Sequence, residues 1–357
     1  MSRYLLAGLL ALAPLHASAD VLVGSWNIEH LGWNNDKALP QVAHVANHFD
    51  LLAVQELMDP AALGALEREL EARSGEAWSS MASHALGRSS YEEHYGFLWR
   101  ESEVAYEDGA VVFIDHGDVF AREPYSARFR DLASGDRFTL ATVHVVYGDG
   151  VGDRLPEIAA LADYWRWLGE IAPGTPRLLA GDFNLAPEHP GWEALRAEGA
   201  VPAITEGHTT LATTAGEYAS LYDNLWYEAE RLAPGERGIL RFPALLPLEH
   251  EAARERVSDH APVYLALNGA RLAPTPAAGG DLLAGASVGG SGASCIDLNA
   301  SDATRLAALP HVGPARAAEI IEGRPWREAA ELTRIGGIGE GRLGEIRQSG
   351  LLCGDRG

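Results

Sequence analysis

The chain has 357 residues, 47% of them hydrophobic and 22% charged, so it is long enough to bury a large core and to form two domains. Its formal net charge is −22, and Lys37 is its single lysine. Because a uniformly acidic surface repels a polyanion, charge alone argues against nucleic-acid binding. Two interpretations remain: an enzyme that does not act on nucleic acid, or one that does and whose acidic surface suits a salty medium. We state a high-salt habitat as a hypothesis, since the Debye length falls to about 3 Å at 1 M salt.

The first residues have the pattern of an export signal. Arg3 supplies the positive start, Leu5 to Leu15 the apolar stretch, and Ala17–Ala19 the small residues before a cleavage site at Asp20. We therefore predict a signal peptide over residues 1–19 and a secreted protein, extracellular or periplasmic in transit. The apolar stretch is too short to span a bilayer, and the alternative is an uncleaved anchor or an unusual first helix.

Residues 20–269 alternate short β-rich runs with helical stretches, which is typical of a layered α/β or α+β domain. A helix is predicted from Pro156 to Leu168, where apolar residues recur at helical spacing. Buried strands are predicted at Val21–Val23, Leu51–Val54, Gly96–Trp99, Phe138–Val143 and Leu178–Ala180.

The composition changes after this domain. The stretch from Ala273 to Ser294 is rich in Gly, Ala, Pro and Ser, and we predict a flexible linker over residues 270–294. Residues 295–357 then have the pattern of a small all-α domain that is nearly neutral. Almost all of the negative charge therefore belongs to the region before the linker.

The two cysteines, Cys295 and Cys353, flank this last segment. In an exported chain an even pair of this kind predicts a disulfide. Closing a loop of this length would stabilise the fold by about 4 kcal/mol in the chain-entropy model. Two free thiols are the alternative, because a disulfide also needs a suitable geometry.

Side chains with oxygen ligands recur at the ends of the predicted strands: Asn27, Glu56, Asp182, Asn184, Asp223 and Asp259. Mg²⁺, Mn²⁺ and Ca²⁺ take such ligands, and phosphodiester cleavage needs a cation to neutralise developing charge. His144 and His260 stand beside these residues, and each could act as a general base or a general acid if a carboxylate oriented it. Zinc would favour a tighter His/Cys cluster, and this domain has no cysteine.

Six short motifs carry these residues in order along the chain: Ser25–Ile28, Val54–Glu56, Thr142–His144, Gly181–Asn184, Tyr222–Asn224 and Ser258–His260. The ordered set resembles the endonuclease/exonuclease/phosphatase superfamily over residues 20–269. Within that superfamily, Leu86–Tyr95 and Arg122–Pro124 resemble the signature of the DNase I type. The resemblance implies a four-layer α/β sandwich, in which two sheets pack face to face with helices outside.

The resemblance also implies a catalytic mechanism. Glu93 would orient His144, and Asp223 would orient His260. The products would carry 5′-phosphate and 3′-hydroxyl ends.

The other site residues would bind metal or substrate. Asn184 would position the scissile phosphate, close to Asp182. The implied metal site consists of Glu56 with Asn27, Asp182 and Asp259 nearby. The implied contacts to the DNA strand are Arg88, Tyr91 and Arg122.

This sequence departs from the family pattern at two positions that would face DNA. Met58 replaces an arginine two residues after Glu56, and Glu29 replaces the arginine of the first motif. Both changes remove positive charge, which weakens binding to the duplex backbone. The bracing cysteines of the mammalian enzymes are absent from this domain too, which puts the structural calcium sites in doubt. Trp33, Trp99, Trp165 and Trp226 could stack on bases, but large aromatic side chains usually fill interfaces between sheets and helices, so we expect core positions for all four.

Two glycine-punctuated hairpins lie between helical runs in the small domain. The first, Leu309–Gly313, precedes a predicted helix over Pro314–Glu322, and the second, Ile335–Gly339, precedes one over Glu340–Arg347. A Gly-rich turn that opens into a helix directs backbone N–H groups toward an anion. The pair resembles the tandem helix-hairpin-helix domain of competence-type DNA receptors. That resemblance implies contacts to duplex phosphates from Gly313, Gly337, Gly339, Arg316, Arg324 and Arg342; a plain αα-hairpin with glycine caps is the alternative.

We therefore expect a secreted, monomeric, metal-dependent endonuclease that cuts double-stranded DNA without sequence specificity and has no membrane partner. One alternative is a secreted phosphodiesterase or phosphatase of the same superfamily that acts on lipid or inositol phosphates. It would have no use for the small domain or for the Arg88 to Tyr95 signature. The other alternative is a DNA-uptake receptor whose large domain is only a scaffold.

Overall fold

The computed structural model describes residues 21–33, 36–268 and 270–272 and, nearer the C-terminus, 296–301, 303–306, 309, 312, 314–336, 338–348 and 352–353. The predicted signal peptide, most of the predicted linker and Cys295 lie outside these residues. The chain divides into two compact units, one up to residue 286 and the other from residue 287. Among the described residues, no helix is both long enough and apolar enough to cross a bilayer.

The described part of the first unit contains twelve strands and five α-helices. The strands are β1 (Leu22–Leu31), β2 (Leu51–Leu57), β3 (Trp78–Ala82), β4 (His94–Arg100), β5 (Val104–Val112), β6 (Tyr125–Asp131), β7 (Arg137–His144), β8 (Arg177–Asp182), β9 (Ala200–Pro202), β10 (Asp223–Glu228), β11 (Pro234–Ile239) and β12 (Val263–Leu267). The helices are α1 (Leu39–Ala46), α2 (Pro60–Ser74), α3 (Val151–Ile171), α4 (Glu193–Ala197) and α5 (His250–Arg256).

The strands form two six-stranded sheets. One has the order β11-β12-β1-β2-β4-β3 and the other β5-β6-β7-β8-β10-β9. Each sheet has one parallel pair near its centre, β1 with β2 and β7 with β8, among antiparallel neighbours. Because side chains alternate between the two faces of a strand, each sheet can bury both faces.

The buried side chains show four layers. Val23, Phe97, Phe129 and Leu140 belong to one core cluster between the two sheets. A second cluster joins the opposite face of the first sheet to α1, α2 and α5, and a third joins the opposite face of the second sheet to α3 and α4. This arrangement confirms the predicted four-layer α/β sandwich.

All five predicted strand runs fall within observed strands or overlap them, but the predicted helix was too short. The helix α3 begins at Val151 rather than Pro156. The Asp153 carboxylate accepts hydrogen bonds from the backbone N–H groups of Asp149 and Gly150, at 2.8 and 3.2 Å, which closes the helix N-terminus. Apolar periodicity does not report such a cap, so the pattern placed the start one turn and a half too late.

The loops that follow β1, β2, β7 and β8 and precede β10 and β12 meet at one edge of the sandwich. Parallel strands within each central pair end at the same edge, and the antiparallel strands β10 and β12 begin there. Asp223, the first residue of β10, pairs directly with Asp182, the last residue of β8. This topology gathers residues that are far apart in sequence.

The described part of the second unit contains α6 (Ala303–Leu306), α7 (Pro314–Glu322) and α8 (Glu340–Gln348), with a 3₁₀ turn over Ala329–Arg334. The helices α7 and α8 coincide with the two predicted helices. The unit has its own apolar core, which includes Leu306, Ile320, Trp326, Leu332 and Ile346. That it is a helix-hairpin-helix domain stays a prediction.

Candidate active site

One carboxylate–imidazole pair lies at the end of β7. His144 Nδ1 is 3.0 and 3.2 Å from the two carboxylate oxygens of Glu93. The backbone of His144 is fixed as well, because its N–H donates to Tyr95 Oη at 2.9 Å and its carbonyl accepts from the Arg122 guanidinium. With Nδ1 and both backbone groups engaged, the ring can present only Nε2 to the site.

A second pair lies just before β12. His260 Nδ1 is 2.8 Å from Asp223 Oδ2. The His260 carbonyl accepts from Trp26 Nε1 at 2.7 Å, and its N–H donates to Ser258 Oγ at 2.9 Å. Ser258 Oγ in turn donates to the Asn27 carbonyl at 2.7 Å, so both ends of this loop are tied to β1.

The two pairs converge on one carboxylate. Asp182 Oδ2 is 3.6 Å from His144 Nε2 and 3.7 Å from His260 Nε2. The Asn27 side-chain amide donates to the same oxygen at 3.1 Å and to Glu56 Oε1 at 2.9 Å. The structure therefore brings together residues from β1, β2, β7, β8 and the start of β10 around a single position.

The charges of this cluster support one another. Although burial opposes charge on both imidazoles, Glu93 and Asp182 raise the pKa of His144, and Asp223 and Asp182 raise the pKa of His260 well above its usual value. Burial also opposes ionisation of Asp182, yet the two histidines lower its pKa. Burial raises the pKa of Asp223, although its contact with His260 acts in the opposite direction. The neighbouring carboxylates thus favour the protonated form of both imidazoles.

The same residues fit a divalent cation. Ligand atoms of Asp182, Asp223 and His260 lie within 4.8 Å of one another and are buried. Asp223 Oδ1 is buried without a hydrogen-bond partner, and such an oxygen is costly unless something compensates it. Carboxylate oxygens beside one imidazole suit Mg²⁺ or Mn²⁺.

Two members of the predicted metal set differ from the expected arrangement. Asn27 turns its amide nitrogen toward the carboxylates, while its oxygen accepts from the Glu29 N–H at 3.0 Å. Asp259 lies at the margin, 3.5 Å from Arg254 Nη2 and 3.9 Å from His260 Nε2. The family resemblance assigned Asp223 to His260, whereas the structure also places it with Asp182 and His260 in the candidate metal cluster.

Asn184 lies beside the cluster and is held by groups that the sequence did not indicate. Its side-chain amide donates to the Val145 carbonyl at 2.9 Å, and its own carbonyl accepts from the guanidinium of Arg154 at 2.5 Å. Arg154 also donates to the Tyr147 carbonyl at 2.8 Å. This buried arginine on α3 therefore connects the loops that follow β7 and β8. No pattern in the sequence indicated this role, because the predicted helix began at Pro156, after Arg154.

The three residues expected to touch DNA occupy different environments. Arg88 is exposed and pairs with Asp118 at 3.0 Å. Tyr91 Oη donates to Glu93 Oε2 at 3.2 Å, so this side chain reaches the site. Arg122 has only 11% of its side chain exposed and lies behind His144, 3.6 Å from Glu93. Its contacts are with the protein.

The tryptophan predictions were right at three positions and wrong at the fourth. Trp99, Trp165 and Trp226 are buried, as expected. Trp33 is 49% exposed, because it follows the turn at Gly32, beyond the end of β1, where neither sheet covers it. Its neighbour His30, which sequence analysis also missed, lies with Nε2 3.2 Å from Glu56 Oε2.

In the second unit the structure describes part of the predicted phosphate site. Gly339 is described, whereas Gly313 and Gly337 lie outside the described residues. Arg324 donates to the carbonyls of Leu298 and Ser301, and Arg316 to that of Gly336 at 3.0 Å, so both guanidinium groups also serve the fold. Arg342 is exposed.

The second unit also carries the predicted disulfide position. No free cysteine occurs among the described residues, which include Cys353. Its predicted partner, Cys295, lies outside them, so the pairing stays a prediction.

Comparison with known proteins gives the family. No protein-family model matches the chain. It is 48% identical to a deoxyribonuclease of Thioalkalivibrio sp. (strain K90mix), over 97% of this chain and 96% of the relative, and 28% identical to human deoxyribonuclease-1, over 74% and 98%. A solved endonuclease/exonuclease/phosphatase from Bacteroides vulgatus shares the fold with a TM-score of 0.52 and 18% identity, over 70% of this chain and 99% of that one. The chain belongs to the DNase I-like deoxyribonucleases and is a nuclease of the hydrolase class.

Proposed function

We propose that this protein hydrolyses phosphodiester bonds of DNA with a divalent cation and two carboxylate-oriented histidines. The observation that carries the proposal is the convergence of two imidazole Nε2 atoms on Asp182 Oδ2, at 3.6 and 3.7 Å. Each imidazole is bonded through Nδ1 to its own carboxylate, Glu93 or Asp223. Two such groups on either side of one position can act on the attacking and the leaving oxygen of the same phosphate.

The protein residues divide the proton transfers between them. The carboxylate at each Nδ1 fixes the tautomer and stabilises the imidazolium, as in other oriented histidines. One Nε2 removes a proton from the attacking water, and the other donates a proton to the leaving oxygen. We propose that the 3′ oxygen leaves, so that the products carry 5′-phosphate and 3′-hydroxyl ends, and that Asn184 holds the scissile phosphate.

Glu56 and Asp182, with Asp223 and Asp259 nearby, would hold the cation, which is Mg²⁺ or Mn²⁺ in this proposal. When bound, it supplies charge neutralisation for the phosphate in the transition state. Ca²⁺ is a further candidate for a supporting ion. Asp223 Oδ1, which is buried without a hydrogen-bond partner, supports this assignment.

We also propose that the protein is secreted, acts as a monomer without sequence specificity, and tolerates high salt. Support comes from the N-terminal pattern and from the acidic composition. The second unit, as a helix-hairpin-helix domain with Gly313, Gly337, Gly339 and Arg342 toward duplex phosphates, would hold the DNA. The full-length similarity to a single deoxyribonuclease, which covers both units, supports a shared task.

A plasmid-nicking assay tests the catalytic proposal. The full chain should convert supercoiled DNA to nicked circles with Mg²⁺ and stop in EDTA. His144→Ala should cut at least about 100-fold more slowly, since general acid–base catalysis contributes about 10²–10⁴-fold. His84→Ala, which alters an exposed histidine, is the matched control and should cut at the parental rate. No cutting by the parent would refute the function, and parental cutting by His144→Ala would refute the role of that histidine.

A further inference from the structure

Trp33 occupies an unusual position for a large aromatic side chain. It is 49% exposed, while the other tryptophans that the structure describes are buried or, at Trp167, partly buried. Leaving an indole in water forgoes the free energy that burial would contribute, about 1.5–3 kcal/mol for large apolar side chains. An exposed indole beside an active site therefore points to a ligand.

The ring is held rigidly by two neighbours. It stacks on His30 with ring centroids 4.2 Å apart and planes within 8° of parallel. Tyr91 meets both rings edge-on, at 5.8 Å from the Trp33 centroid and 6.0 Å from that of His30. Because these two distances are nearly equal, Tyr91 lies beside the stack and not on its outer face. His30 therefore covers one face of the indole, and the side chain still remains 49% exposed.

This aromatic platform, defined by His30, Trp33 and Tyr91, is joined to the site on two sides. His30 Nε2 is 3.2 Å from Glu56 Oε2, and Tyr91 Oη donates to Glu93 Oε2 at 3.2 Å. Glu93 in turn holds His144. His30 thus contacts a proposed metal ligand, Glu56, directly. Tyr91 is connected to the proposed catalytic imidazole of His144 through Glu93.

The backbone is strained at the residues that position the platform. Glu29 and His30 have φ of +47° and +56°, in the left-handed region that non-glycine residues rarely adopt. The register between β1 and β2 shifts between Asn27 and Leu31, so this pair forms an irregularity in the strand. Such conformations persist where the surrounding structure holds them and cluster at functional sites.

We propose that the outer face of Trp33 stacks an unpaired nucleobase of the bound strand, next to the scissile phosphate. This inference rests on the proposed DNA hydrolysis and extends its substrates to DNA with an unpaired base at the cleavage position. Every base has a π-face, so stacking is tolerant of sequence. Base stacking also needs no positive charge. This suits a site in which Glu29 and Met58 replace the two arginines expected at the DNA face.

The test compares cleavage of two single-stranded 12-mers by the full chain with Mg²⁺. One is a thymidine oligonucleotide, and the other has the same phosphates but abasic residues in its central six positions. Trp33→Ala should lower kcat/KM for cleavage in the centre of the thymidine 12-mer about tenfold, which corresponds to about 1.4 kcal/mol. The loss for central cleavage of the abasic 12-mer, which offers no base to stack, should be less than twofold.

Two variants at the same position separate stacking from bulk. Trp33→Phe keeps an aromatic face and should retain most of the central cleavage of the thymidine 12-mer. Trp33→Leu keeps an apolar side chain without that face and should behave like Trp33→Ala. Their melting temperatures should match one another, because both variants keep a large apolar side chain against His30.

The outcomes distinguish the two proposals. Failure of the parent to nick plasmid would remove the proposed function itself. A parent that nicks plasmid but leaves the thymidine 12-mer intact, or cuts it equally well with Trp33→Ala or Trp33→Leu, would overturn the base-stacking site alone.

Discussion

At the scale of single residues, the burial of two histidines explains why the site needs a carboxylate beside each of them. His144 and His260 are buried, and a buried imidazolium is stable only beside a negative group. Glu93 and Asp223 each supply that group through Nδ1, which leaves Nε2 toward Asp182. Removing the negative charge at Nδ1 should therefore damage catalysis while the ring stays in place.

Asp223→Asn tests this dependence. The amide keeps the size of the side chain but no longer stabilises the charged imidazole, so we expect kcat to fall about 100-fold or more. Plasmid nicking under saturating Mg²⁺ measures the loss. Asp118→Asn, at an exposed carboxylate paired with Arg88, is the control and should cut within about threefold of the parent, since an exposed pair contributes little. Parental activity of Asp223→Asn would show that His260 works without its partner.

The end of β8 shows, at the scale of the secondary-structure elements, why the site motif contains a glycine. Gly181 has φ of +154°, and a Cβ on it would lie 2.0 Å from the backbone oxygen of Val143 on the paired strand β7. Neither strand can retreat, because each lies in the interior of its sheet. The glycine allows β7 and β8 to approach where Asp182 and His144 face the site.

Gly181→Ala should accordingly destabilise the fold by about 3 kcal/mol or more, since a clash with backbone and a strained φ combine. Thermal unfolding followed by circular dichroism measures the change. Gly64→Ala, in the interior of α2 where the added Cβ meets only ordinary contacts, should instead stabilise by about 0.5–1 kcal/mol. Equal melting temperatures of the two variants would contradict this account.

Asp50 ties the first strands together at the other end of the sheet. Its carboxylate accepts from the Leu22 N–H at 2.9 Å and lies 3.5 Å from Arg100 Nε. Burial raises the pKa of Asp50 to about 6, against the opposing effects of these two donors. The Asp50 carboxyl therefore binds its proton more tightly in the folded state than in the unfolded chain. As a result, the folded protein loses stability as pH rises from about 4 to 6.

Asp50→Asn removes the titration while keeping an acceptor for Leu22. The melting temperature of the variant minus that of the parent should rise between pH 4 and pH 7, by the equivalent of about 2 kcal/mol. Thermal unfolding of both proteins across this range measures the difference, in which the other titrating groups cancel. A difference that stays constant or falls with pH would contradict the raised pKa.

At the scale of the whole molecule, the distribution of charge bears on how DNA is held. The net charge of −22 lies almost entirely before residue 273, in the region that carries the site. Such a surface attracts phosphates poorly, and rising salt weakens the remaining contacts through counterion release. A tethered second binding site raises the local concentration of DNA, to about the mM range for a short flexible linker.

Truncation after Leu272 should therefore lower nicking activity most at high salt. The ratio of full-length to truncated activity should rise with salt. It is measured from 0.05 to 1 M NaCl, a range over which the Debye length falls from about 14 to about 3 Å. Each unit has its own core, so the truncated protein should fold. Its melting temperature at each salt concentration is the control. A ratio that does not change with salt would show that the second unit does not serve this purpose.

The local patterns in the sequence determined much of this protein. Apolar runs located β1, β2, β4, β7 and β8, periodicity located the middle of α3, and the glycine-punctuated hairpins of the small domain located α7 and α8. The ordered motifs from Asn27 to His260 indicated the candidate site residues through their resemblance to a known superfamily. The start of α3 was missed, since a cap formed by Asp153 interrupts no apolar pattern.

Only the tertiary structure decided which groups face one another. The convergence of His144 and His260 on Asp182 depends on two sheets stacked so that loops over 100 residues apart share one edge. Arg154 and His30 gained their roles from neighbours supplied by other elements, and Trp33 became exposed because the sheet ends before it. Burial and contact are properties of packing, whereas the sequence alone fixes periodicity and chemistry.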